Sequence, residues 1–207
     1  MRLNIRDLAC RRGRRVVLAG VTLTLGAGQA AVLVGPNGSG KTTLLRTVAG
    51  LSPTARGQIQ GGGEQAVFCG HSDAVKSQLT CAENLAFWAA IYGTGDWRPA
   101  AERFDLRPLL DRLAGDLSAG QRRRLGLARL LISGRPLWLM DEPTTALDTA
   151  RIALWADAVM DHLRLGGAAL IATHADIAVP GPRVDVSRFA ATPDTSAQTG
   201  AEDPFLA

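Results

Sequence analysis

The sequence predicts an α/β fold: a mixed sheet built around a glycine-rich loop. Three short apolar runs predict it: Ala30-Ala31-Val32-Leu33-Val34, Leu137-Trp138-Leu139-Met140 and Ala168-Ala169-Leu170-Ile171-Ala172. Continuous apolar runs of this length read as strands buried on both faces, as in parallel sheets covered by helices. Each run ends at a turn or at polar residues. Ligands of open α/β sheets sit outside such carboxyl ends.

The first run leads into Gly35-Pro36-Asn37-Gly38-Ser39-Gly40-Lys41-Thr42, which fits G-x-x-x-x-G-K-[ST]. Its glycines permit backbone conformations that a Cβ would block. The turn can then aim successive N–H groups inward as an anion nest. A helix starting near Lys41 adds its positive end. Lys41 brings a point charge to the β- and γ-phosphates, the Thr42 hydroxyl can ligate Mg²⁺, and Thr43 follows in the same nucleotide-binding turn. The chain holds two lysines against a large excess of arginine, so composition alone would not supply a lysine here.

The remaining elements follow in order. Residues 2–8 alternate as a strand, and Val16 to Leu25 holds a second, with Val21, Leu23 and Leu25 on one face. The helix after the phosphate loop closes at Gly50. A short strand is expected around Gln58-Ile59, a turn at Gly61-Gly62-Gly63 and a strand at Ala66-Val67-Phe68-Cys69. Thr80 with Glu83 forms a capping box that opens a helix carrying Leu85, Phe87, Trp88 and Ile91. Short helices are expected at 98–104 and 106–113. A longer one runs from Ser118 to Leu131 and stops before Pro136. Ile152 to Leu165 reads as amphipathic helix ended by Gly166-Gly167, and Val184-Asp185-Val186 as a last strand. Residues 191–207 are short of large apolar groups and read as a disordered tail.

Two further stretches carry chemistry. Asp141, at the end of a buried strand, can hold Mg²⁺ directly or through water. Glu142, one residue on, can polarise an attacking water as general base. In Leu117-Ser118-Ala119-Gly120-Gln121, Ser118 is a good N-cap and Gly120 allows close backbone approach to a ligand. Arg122, Arg123 and Arg124 then oppose the helix dipole, which points to phosphate or to an acidic partner. The bland alternative for this cluster, and for Arg11, Arg12, Arg14 and Arg15, is a solvated face; anionic lipid or nucleotide is the sharper one.

Phosphate loop, Leu-Ser-Ala-Gly-Gln, apolar run with Asp-Glu, then His174 at a strand end, in that order, resemble the nucleotide-binding domain of ABC (ATP-binding cassette) proteins. The resemblance spans residues 2–190. It implies one domain over 1–190, with an N-terminal antiparallel β subdomain and a helical subdomain inserted at about 78–132. It implies that Ser118, Ala119, Gly120 and Gln121 are the signature that meets ATP bound to a second copy. Asp148 would then be the D-loop residue at the dimer seam and His174 the switch histidine at the γ-phosphate. ATP and Mg²⁺ are the implied ligands, held by residues 35–43 with Thr42 and Asp141 at the metal. The implied partners are integral membrane transporter subunits and a second ATPase copy, with no nucleic acid. Residues 71–92 would be the docking surface.

Two positions depart from that family's pattern. Counting back from Thr80, His71 stands where a glutamine is usual. Arg12 stands where an aromatic normally stacks on adenine; a guanidinium plane can also stack on a purine. His71 followed by Leu79-Thr80, Glu83-Asn84-Leu85 and Phe87-Trp88, with Leu-Ser-Ala-Gly-Gln-Arg-Arg-Arg, resembles more narrowly the ATP-binding subunit of the haem exporter of cytochrome c maturation. An ATP-binding subunit for another cargo is the alternative. A DNA-repair type is excluded, because residues 41–117 leave no room for a long coiled coil before the signature. A translation type usually joins two cassettes; this sequence has one.

Composition fits this class. At 207 residues, 46% hydrophobic and 20% charged, the sequence reads as globular, with net charge +4. No apolar run approaches the roughly 20 residues of a membrane span. The first residues are too charged for a signal peptide, and no apolar stretch precedes Leu8-Ala9-Cys10 as a lipoprotein site would need. Cys10, Cys69 and Cys81 lack C-x-x-C spacing, so neither a disulfide framework nor a zinc site is indicated. Cys69 before His71 reads as a buried thiol rather than a haem ligand. The expected location is the cytoplasmic side of the inner membrane, as a peripheral subunit.

Overall fold

The computed structural model describes residues 3–192. Strands β1 (Leu3–Arg12), β2 (Arg15–Leu25) and β4 (Thr54–Gln60) form an antiparallel sheet in the order β2-β1-β4. Strands β3 (Ala30–Val34), β5 (Ala66–Cys69), β6 (Leu137–Asp141), β7 (Ala168–Ala172) and β8 (Arg183–Asp185) form a parallel sheet in the order β5-β6-β7-β3-β8. The expected N-terminal antiparallel β subdomain is thus a sheet of its own, and the core sheet, expected to be mixed, is parallel in all its described pairings.

The apolar runs behave as two-sided strands. In β6, Leu137 and Leu139 join one core, while Trp138 and Met140 join the other. In β7, Ala168, Leu170 and Ala172 face the first of these, and Ala169 and Ile171 the second. The period of two therefore feeds both cores from one segment. Helix α1 (Lys41–Val48) packs its Leu44, Leu45 and Val48 between the parallel and antiparallel sheets. On the opposite face lies a segment comprising α2 (Cys81–Tyr92), α3 (Arg98–Arg103) and α4 (Ala119–Ile132), together with α5 (Thr149–Arg164). Trp155 of α5 is fully buried, with its indole N–H on the Met140 sulfur at 3.4 Å.

Several boundaries differ from the sequence reading, each for a local reason. β1 runs on to Arg12 because a bulge at Asp7 (φ +45°) breaks the alternation and buries Leu8, Ala9 and Cys10 in succession. Residues 106–113 form no helix beyond the 3₁₀ turn Arg107–Leu109. Instead the carbonyls of Leu110 and Arg112 accept from Ala82 and Cys81 N–H, covering orphan donors at the start of α2. α5 begins at Thr149, earlier than 152, because the Asp148 carboxylate caps it by accepting from Arg151 N–H at 2.8 Å. The Thr80–Glu83 capping box forms as expected. Of the expected tail, Ala191 N–H bonds to Val17 O at 3.1 Å, and 193–207 lie outside the described residues.

Candidate nucleotide-binding site

The loop between β3 and α1 is shaped by its glycines. Gly40 takes φ +102° immediately before α1, and a Cβ there would come within 2.9 Å of the Leu18 side chain. β2 therefore packs directly onto the loop, which only glycine allows. Lys41 opens α1, is largely buried, and donates to Gly35 O at 2.7 Å and Pro36 O at 3.1 Å. Its third contact is His174 Nε2, at 3.2 Å. An ammonium only donates, so Nε2 accepts here and the ring proton of a neutral imidazole sits on Nδ1.

The ends of β6 and β7 close the other side. Thr42 Oγ1 donates to Asp141 Oδ2 at 2.6 Å. Glu142 follows at φ +48°, a conformation that costs a non-glycine residue energy. Its Oε2 accepts from Thr173 Oγ1 at 3.0 Å and from His174 N–H at 3.4 Å. Its Oε1 lies 3.7 Å from His174 Nε2 and, like Ser39 Oγ, is buried without a hydrogen-bond partner among the described residues. Buried polar atoms are normally paired, and of these two Glu142 Oε1 belongs to a residue that borders a cleft where a ligand could fit.

A cleft of about 820 Å³ joins Lys41, Thr42, Asp141, Glu142 and His174 to Asn37, Gly38, His71 and Thr43. It extends along Arg11, Arg12, Val17, Arg46, Ser52 and Pro53, with no aromatic side chain among its described lining residues. The sequence reading places Arg12 and His71 there and gives nucleotide as one option for Arg11, but does not single out Arg46. Nor does it single out Thr173, which lies fully buried behind the cleft and holds Glu142; its place just before the strand-end histidine is the one sequence signal for it.

The signature lies elsewhere. Ser118 and Gln121 form a reciprocal capping box at the start of α4 (Ser118 N–H to Gln121 Oε1, 2.9 Å; Gln121 N–H to Ser118 Oγ, 3.3 Å). A Cβ on Gly120 would lie 2.6 Å from Ala146 O. Ser118, Gly120, Gln121, Ala146, Leu147, Asp148, Arg124 and Arg151 line a separate depression of about 310 Å³. The two groups of motif residues therefore do not share a cleft within one chain.

The arginine cluster at 122–124 is neither a solvated face nor directed at the phosphate cleft. Arg123 and Arg124 are buried: Arg123 bonds to Asp73 and to four carbonyls, Arg124 to Phe104 O, Asp105 O and the Asp105 carboxylate. The acidic groups they face belong to this chain. Periodicity could not foresee this, since desolvation is offset by carbonyls and carboxylates brought in from distant segments. The three thiols are buried, and burial pushes all of them up, Cys81 to about 11.

A phosphate loop on β3–α1, acids at the end of β6 and a histidine at the end of β7 define a nucleotide-hydrolysing α/β domain. The comparisons place it more narrowly. The ABC transporter family matches residues 18–145, and the chain belongs to that family. It is an ATPase of the ABC class. It is 52% identical over 204 residues to the cytochrome c biogenesis ATP-binding export protein CcmA of Roseobacter denitrificans, covering 98% of each chain. It is 54% identical to the protein of that name in Cereibacter sphaeroides, over 99% of this chain and 98% of that one. Among solved structures it resembles a putative ABC transporter ATP-binding protein from Pyrococcus furiosus (TM-score 0.81, 24% identity, 92% and 100% coverage). That likeness concerns the fold. No described helix is long and apolar enough to cross a membrane.

Proposed function

We propose that this chain is the ATP-hydrolysing subunit of a membrane exporter in cytochrome c biogenesis, the haem exporter of that pathway. Identity of 52% and 54% along nearly the full length to proteins named for that pathway supports it. One observation carries the enzymology: a free, buried Glu142 oxygen in a cleft shared with Lys41, Thr42, Asp141 and His174.

In this reading ATP phosphates enter the nest at 35–43 and take over the Lys41 donors now held by Gly35 O and Pro36 O. Thr42 and Asp141, already in contact, fit Mg²⁺, which keeps most of its shell as water and phosphate and so needs few protein ligands. When bound, the ion would neutralise charge on the β- and γ-phosphates. Glu142 takes a proton from the attacking water with its free oxygen, while Thr173 holds the other. His174 serves the γ-phosphate by donation from Nε2, which requires the proton to move there from Nδ1. Arg11, Arg12 and Arg46 supply cation charge and a stacking plane at the far end of the cleft.

The site is completed by a second copy. Ser118, Ala119, Gly120 and Gln121 of that copy would meet the γ-phosphate, with Asp148 at the seam. The supporting observation is that the two halves line different depressions of one chain. The loop from His71 and helix α2 form the docking face for membrane subunits at the cytoplasmic surface. Ile91 is 55% exposed there, beside the stacked Trp88 and Tyr92 rings.

Co-expression with the membrane subunits of a haem exporter tests the reading. The complex should co-purify and hydrolyse ATP, and Lys41→Ala should lower turnover by roughly two orders of magnitude or more, as expected when a charged phosphate contact is lost. Failure to co-purify, or Lys41→Ala turnover at the wild-type rate, would refute it.

A further inference from the structure

Arg123 is a buried guanidinium where α4 meets the end of β6 and the loop after β5. A guanidinium carries five N–H donors in a rigid plane. Here every one is used. Nε donates to Pro143 O at 3.1 Å. Nη1 donates to Gly70 O and Asp73 Oδ1, both at 2.8 Å. Nη2 donates to Asp141 O at 3.0 Å and Glu142 O at 2.7 Å. The side chain is 4% exposed.

We infer that Arg123 is a positioning residue that holds the Glu142 turn and the His71 loop in register with the signature helix. Three consecutive carbonyls, 141 to 143, converge on one fork, and the middle one belongs to the residue at φ +48°. Strained backbone persists only where its surroundings over-determine it. Carbonyl contacts from a buried cation do so here, from a helix whose first turn carries Ser118 and Gly120. The same fork grips the other side of the cleft through Gly70 and Asp73, which flank His71. One turn further along α4, a Cβ on Gly126 would lie 2.8 Å from Asp73 O, so helix and loop touch backbone to backbone. A buried ion pair adds little stability over apolar packing, whereas its geometry can specify one arrangement. A shift of α4 therefore reaches Glu142 and His71 together. The inference rests on Glu142 being the general base.

The test measures kcat, KM and nucleotide affinity of the full-length protein in its membrane complex, with bound nucleotide counted to normalise for folded sites. Arg123→Lys keeps the charge but cannot span five acceptors. It should lower kcat by about tenfold or more, with KM and affinity within about twofold, as a small misplacement of a reacting group does. Asp73→Asn leaves the four carbonyl contacts and weakens only the link to the His71 loop. It should lower kcat by about threefold or more with unchanged affinity, and it decides the matter should Arg123→Lys not fold. An unchanged kcat per nucleotide-binding site in the folded variant would overturn the inference. Glu142→Gln, measured in parallel, separates the two claims. An inactive Glu142→Gln beside a fully active Arg123→Lys sinks the positioning role alone, whereas an active Glu142→Gln sinks the base assignment with it.

Discussion

Glu142 has one carboxylate oxygen fixed and one free, and the fixed one depends on Thr173. Thr173→Val keeps the shape and removes the hydroxyl. It should lower kcat by about tenfold or more while leaving nucleotide affinity near wild type, because it misplaces the base without touching the phosphate loop. At His162, burial lowers the imidazole pKa although Nε2 contacts Ala168 O. The ring stacks on Trp138 at 3.9 Å. Its folded pKa lies below the unfolded value, so the folded state binds fewer protons. The stability this contributes is full above the unfolded pKa near 6.5 and is lost as pH falls from there through the lower folded pKa. Thermal melts from pH 7.5 to 5.5 should show a falling Tm, with a smaller fall in His162→Phe. The thiols give a third check. All three are buried with raised pKa values, so alkylation at pH 8 should be slow in the native protein and rapid in urea.

Helix α4 combines two duties that mutagenesis can separate. Ser118→Ala removes the cap and should cost about 1 kcal/mol of stability. Its ATPase loss should greatly exceed what that destabilisation explains, because the same hydroxyl is proposed to meet a neighbour's phosphate. Melting and turnover measured on one preparation check both. At this scale the sequence was readable where a local rule decides. Thr80–Glu83 and the Ser118 cap follow from side chains reaching their own backbone, and the buried strands follow from apolar runs. It was unreadable where a distant segment decides. Residues 106–113 lend their carbonyls to α2 instead of forming a helix. Arg123 and Arg124 turn inward to acceptors some 18 to 53 positions away, which no helical period encodes. The cap at Asp148 sets the start of α5 at Thr149, ahead of the apolar pattern that begins at Ile152.

Across the whole molecule, the two sheets place the ends of β3, β6 and β7 side by side and put the signature on a separate face. Motif order alone indicated ATP hydrolysis, and pairing in the parallel sheet explains why residues far apart in sequence share one cleft. β6 and β7 are neighbours, so Asp141 pairs with Ala172 and Glu142 comes to lie against Thr173 and His174. In the proposed reading, a chain with its halves apart would need a second copy to close each site. The most direct measurement is the mass of Glu142→Gln by sedimentation with and without ATP and Mg²⁺. A composite site requires a nucleotide-dependent dimer that disappears when Ser118→Arg is added to the same chain. A protein that binds ATP yet stays monomeric, or a dimer indifferent to Ser118→Arg, would contradict it.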